Sequence, residues 1–221
     1  MNNNSGSNAV ERLLARIIAL PICLLMSAWC MTLNRQVQDL TKLDQMTKDG
    51  HRVLAMFWHG EYLPLFALAK GRNVVVVTTS SFRGNVIANI CHWFGYQPVR
   101  LPVKGRGMHV LAKHFDQNYG LYAVALDGPL GPYHRIKHGA LQLAIEQGVQ
   151  LVPIGIQSKR KIVLASRWDK QEIPLPFSRV SITVGDMIDG KDTSPGPDHA
   201  LLDQKIATAM EEQSRLAGDL L

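Results

Sequence analysis

"VLAMFWHGEYLPL", residues 53–65, runs through six apolar residues and then delivers a histidine, a glycine and a glutamate, His59 to Glu61. An apolar run without a polar face predicts a strand covered on both sides, as in a parallel sheet. Similar runs follow: "NVVVVTT" at 73–79, "LYAVAL" at 121–126 and "QLVPIGI" at 150–156. "KIVLAS" at 161–166 and "RVSITVG" at 179–185 add two more, and 97–101 reads as a short strand. Helical spacing fills the gaps over 85–94, 109–116 and 138–147, the last stopping at Gly148, a residue suited to a helix C-terminus. Residues 35–49 predict a helix on Val37, Leu40, Leu43 and Met46, and "EYLPLFALA" is helical in spacing despite Pro64. The tail from 198 to 216 carries Leu202, Ile206, Met210 and Leu216 on one face, a packing helix. Strand and helix alternate with short connections. The expected fold is therefore α/β, one domain with a mostly parallel or mixed sheet flanked by helices.

The chain has 221 residues, enough to bury a core, with 46% hydrophobic and 19% charged residues. Its net charge of +6 favours anionic partners. Nucleic acid is not among those expected, since aromatic–basic interleaving and the known binding motifs are missing. Three cysteines without metal-ligand spacing point to a reducing compartment and to no metal site. Residues 1–8 are polar and predict a disordered tail. Residues 9–34 predict an apolar, membrane-associating helix ahead of the domain at 35–221. No charge occurs between Arg16 and Arg35, and 18 helical residues span about 27 Å, a little short of a bilayer core. A spanning anchor interrupted by Pro21, a helix lying in the interface with Arg12 and Arg16 at the headgroups, and a buried helix of a soluble protein all fit.

In sheets of this kind ligands bind beyond the carboxyl ends of the strands, and unusual segments sit at several such ends. His59 can act as a general base if a carboxylate holds its tautomer; Glu61 and Asp127 are the candidates. "DGPLGP", 127–132, fixes a tight turn in which backbone can approach a ligand. Arg83, Arg100, Lys104, Arg106, Arg135 and Lys137 lie in glycine-containing or basic loops able to grip a phosphate. No phosphate-binding P-loop, dinucleotide fingerprint or serine-hydrolase elbow is present.

Taken in order, "FWHGEYLPL", "GYQPVR", "DGPLGP" and "LVPIG" resemble the lysophospholipid acyltransferase superfamily, and within it a short bacterial branch of uncharacterised acyltransferase-like domains related to lipid A acyltransferases. The resemblance covers roughly residues 50 to 188. It implies a membrane-associated O-acyltransferase on the cytoplasmic face of the inner membrane. Such an enzyme takes an acyl chain from a coenzyme A or acyl carrier protein thioester, with no further cofactor, to a hydroxyl of a phospholipid, lysophospholipid or glycolipid. By position, His59 is the general base, Gly95 and Arg100 belong to the acceptor-phosphate block, Asp127 and Gly128 to the acceptor block, and Pro153 to the wall of the acyl site. The family pattern puts a carboxylate five residues after the histidine, where this chain has Pro64. Leu126 and Leu130 replace a proline and an arginine. A catalytically silent lipid-binding protein of the same fold is the alternative implied by those departures.

Overall fold

The computed structural model describes residues 4–68, 71–102, 107–117, 120–188 and 200–221. Its centre is strand β2, Val53–Phe57, buried at every position. Val53, Ala55 and Phe57 point into one half of the core, while Leu54, Met56 and Trp58 enter the other. That double burial is the reason the run lacks a polar face.

Beside β2 lie β5 (Leu121–Ala125) and β6 (Gln150–Ser158), both parallel to it. Beyond β5 come β3 (Val74–Thr79) and β4 (Gln97–Leu101), also parallel. On the other flank β9 (Arg179–Val184) pairs antiparallel with β6, and β1 (Asn34–Gln38) pairs parallel with β9. The order is β1-β9-β6-β2-β5-β3-β4, a mixed seven-stranded sheet of the expected α/β class. A separate two-stranded hairpin, β7 (Lys161–Val163) with β8 (Glu172–Pro174), projects after β6.

One face carries α1 (Asn4–Thr32), α2 (Leu40–Lys48) and α3 (Phe82–Trp93), through Ala19, Cys23, Leu43, Ile90 and Cys91. The other carries α4 (Gly107–Gln117), α5 (His138–Glu146) and α6 (Ala200–Asp219), through Phe115, Leu141, Leu202, Ile206 and Met210. All three cysteines are buried free thiols.

Three local expectations are corrected. Residues 4–8 belong to α1 rather than to a disordered tail; residues 1–3 lie outside the described region. The helix expected over 35–49 is an edge strand, β1, and then α2, with a left-handed turn at Asp39 (φ 62°) between them. Pairing with β9 supplies β1 with backbone hydrogen bonds that a side-chain pattern cannot show. The segment after His59 is two short 3-10 turns, His59–Glu61 and Leu63–Ala67, with Pro64 in the first turn of the second. Proline cannot donate to a preceding carbonyl, so one continuous α-helix does not form.

Candidate active site

The strand end of β2 meets the strand end of β5. The Leu126 N–H donates to the Phe57 carbonyl at 2.9 Å, and the His59 N–H donates to Asp127 Oδ1 at 2.9 Å. Asp127 is fully buried, and its Oδ2 has no hydrogen-bond partner among the described residues. Burial raises its pKa, opposed by backbone N–H groups, chiefly that of His59. Its role in this geometry is to fix the backbone that carries the histidine, not to touch the ring.

The ring is held from elsewhere. His59 Nδ1 lies 3.0 Å from Oδ2 of Asp169, in the loop between β7 and β8. Asp169 is completely buried and gripped by Arg167, whose Nε and Nη2 donate to its two oxygens at 2.9 and 2.8 Å. Arg167 first, and His59 after it, hold the Asp169 carboxyl down at about 2 against the opposing effect of burial. A carboxylate on Nδ1 selects the tautomer with Nδ1 protonated, which turns the lone pair of Nε2 outward. The Nε2 atom has no hydrogen-bond partner among the described residues, and the side chain is 26% exposed. Tyr62 and Trp168 flank the ring, with centroids 5.4 and 5.1 Å from its own. The expectation that Glu61 or Asp127 would orient the imidazole is therefore corrected: Asp169 does so.

Contact between two distant segments depends on one small residue. A Cβ on Gly60 would run into the backbone carbonyl of Asp169, and Gln171 Nε2 donates to the Gly60 carbonyl at 2.8 Å. Glycine at 60 is what lets the loop seat on the turn. Gly60→Ala is expected to lower stability by about 1–3 kcal/mol, the range for overpacking a tight contact, and to displace Asp169 from the ring. Urea denaturation read together with the imidazole NMR signals of His59 checks both effects.

Glu61 turns the other way. Its Oε1 lies 3.7 Å from Nε2 of His134, whose ring stacks on Trp58 and Tyr133 with centroid separations of 4.3 and 3.8 Å. Burial, with the negative charge of Glu172 next, lifts Glu61 to about 8, while burial and then Lys170 push His134 down to about 4. Both side chains are thus neutral near pH 7, and the contact is not an ion pair. The sign of its pH dependence follows from linkage. Between the unfolded value of 4.5 and about 8, the folded state keeps a proton that the unfolded state has lost. Glu61 therefore lowers stability as pH rises through that window. His134, which binds its proton more weakly when folded, raises it between about 4 and 6.5. The fall due to Glu61 stands unopposed by His134 from 6.5 to about 8. Glu61→Gln is expected to flatten the fall and raise the melting temperature above pH 8, seen in thermal unfolding over a pH series.

The remaining sequence candidates are scattered. Gly128 adopts φ 65° in the turn after β5, as a left-handed position requires. Arg135 and Lys137 are exposed in the following loop, Arg83 at the start of α3 and Arg100 on edge strand β4. None of these four is hydrogen-bonded to the His59 cluster among the described residues. Lys104 and Arg106 lie outside the described residues. Pro153 sits mid-strand in β6, packed where Gly185 leaves no room for a Cβ and beside Gln213 of α6. In the parallel register it stands opposite Met56, one residue before the end of β2, and so lies near the strand end that carries His59. Among the described residues there is no cluster of three or more metal-ligating side chains.

No protein-family model matches the chain. It is similar to an uncharacterised protein of Rickettsia prowazekii (strain Madrid E), 28% identical over 137 residues. The alignment takes in 60% of this chain and 62% of the relative, so less than two thirds of that protein's length is spanned.

Proposed function

We propose that the protein is a membrane-associated O-acyltransferase, with His59 as general base and Asp169 as the residue that positions it. The observation that carries this reading is the His59–Asp169–Arg167 chain at the carboxyl edge of the sheet, with Nε2 left open. In the family that the sequence resembles, a carboxylate five residues downstream does this work. Here Pro64 fills that place, and Asp169 supplies the carboxylate from the other side of the site.

Nε2 would take the proton from an acceptor hydroxyl as its oxygen attacks the carbonyl carbon of an acyl thioester. The tetrahedral adduct then collapses with cleavage of the carbon–sulfur bond. The imidazolium returns its proton to the departing thiolate of coenzyme A or acyl carrier protein. Asp169 stabilises the imidazolium formed in between, and Arg167 keeps that carboxylate ionised. The acceptor class is a phospholipid, lysophospholipid or glycolipid, met at the cytoplasmic face of the inner membrane. Arg83, Arg100, Arg135 and Lys137 are the candidates for its phosphate.

The direct test incubates purified protein with a labelled acyl thioester and a bacterial lipid extract and follows label into lipid. Transfer that disappears with His59→Ala supports the reading. Transfer unaffected by that change removes His59 as base. Lipid binding with no transfer at all would favour the silent lipid-binding alternative, for which Leu130, 87% exposed in place of the family's arginine, is the structural argument.

A further inference from the structure

We infer that α1 lies flat on an anionic lipid bilayer as part of the domain surface rather than crossing it, and that Phe177 is a second anchor on the same face. The inference deepens the proposed function by naming the surface where a lipid acceptor is met. Its tests read binding rather than turnover, so each can fail without the other.

By length and composition, Val10–Thr32 could cross a membrane. Its packing argues against that. Ala15, Ala19, Cys23 and Cys30, spaced by four, four and seven residues, form a buried stripe along the helix. Trp93 of α3 donates to Ser27 Oγ at 3.1 Å, and Trp29 Nε1 donates to the Pro174 carbonyl of β8 at 2.8 Å. The helix is thus fastened along its length to the sheet-covering layer. To cross the hydrocarbon region it would have to shed those contacts or carry α3 with it, including exposed Arg83 and His92.

The opposite side of α1 is apolar. Ile17, Leu20, Leu24 and Leu25 are exposed, and Met31 is 85% exposed. Phe177 lies in the turn next to the end of the helix. The Asn34 N–H, two residues after α1, donates to the carbonyl of Ser178 at 3.0 Å. Ser178 Oγ in turn accepts from the Arg160 N–H at 2.9 Å. Phe177 is 74% exposed and held at φ 62°. A bulky aromatic residue in the left-handed region is strained. Such strain, retained to hold a phenyl ring in solvent, has no packing return in the domain itself.

Charge completes the match to lipid. Arg12 and Arg16 are exposed near the start of the helix, on the side of its packed stripe, and Arg35, Lys159 and Arg160 are exposed around its far end. No acidic residue occurs between Glu11 and Asp39. An apolar face rimmed by cations is the pattern of an interfacial helix on anionic lipid.

Full-length protein is floated with phosphatidylglycerol-containing vesicles and with phosphatidylcholine vesicles. Stronger binding to the anionic set is expected. Phe177→Gly relieves the backbone strain, so its melting temperature should be equal to or above wild type while its partition coefficient drops about tenfold, the scale of removing one buried aromatic side chain. Binding of Phe177→Gly equal to wild type overturns the anchor. For the pose, Arg12→Cys and Asn34→Cys are labelled on vesicle-bound protein with a membrane-impermeant maleimide, the native cysteines being buried. Reaction of both from outside is expected; protection of one end until detergent is added means a spanning helix and overturns the pose. Protein that stays off vesicles but forms a dimer in solution would assign the face to a second copy of the chain and overturn both.

Discussion

His59→Ala is expected to lower the proposed acyl transfer by about 10²–10⁴-fold with KM for the lipid acceptor nearly unchanged, the range general-base catalysis supplies. The imidazole reaches the acceptor proton only as bonds change, so its loss falls on kcat rather than on ground-state binding. Stability should change little. The ring is partly exposed, its backbone N–H still reaches Asp127, and the one ring hydrogen bond lost is to a carboxylate that keeps Arg167. Initial-rate kinetics with a fixed thioester donor, alongside a melting curve, separate those two outcomes.

Asp169→Asn should have an effect nearly as large, about 10²–10³-fold in kcat, since it removes both the charge facing the imidazolium and the preference for one tautomer. Asparagine is close in volume, so the loop should stay seated through Gly60 and Gln171. Arg167 loses an anionic partner, but its half-exposed side chain can turn to water. Some stability is lost as well, and its pH window is defined. The depressed carboxyl stabilises the fold above its unfolded value of 3.8, and that contribution disappears as pH falls toward about 2. At neutral pH the wild type should therefore be more stable than Asp169→Asn, and the difference should shrink in acid. A variant with wild-type kcat would remove Asp169 from the mechanism.

The parts of the fold legible in the sequence were those whose burial is two-sided. β2, β3, β5 and β6 are read from short apolar, β-branched runs because both faces of the sheet are covered. β1 was hidden for the converse reason. "NRQVQ" is a mostly exposed edge strand with one neighbour, so its side chains carry almost no signal of its pairing. In the site, His59 and the strand ends that place it were visible, since each follows directly from a strand. Asp169 was not. It stands 110 residues from the ring it holds, in a turn between two three-residue strands. Charge density around Arg167 and Asp169 next to Trp168 was the only local sign, and surface loops commonly share it. Glu61 misled through proximity: two residues along a 3-10 turn carry its carboxylate to His134 rather than back to the imidazole.

The long separation of His59 from Asp169 also sets the order in which the protein acquires chemistry. At roughly 5–20 residues per second of synthesis, the ribosome adds the 110 residues between them in about 5–20 s. Throughout that interval the nascent polypeptide carries a bare histidine. The dyad can close only after the β7–β8 hairpin that carries Asp169 has been synthesised. The pairing of His59 with Asp169 therefore exists only in molecules whose translation has passed the β7–β8 turn.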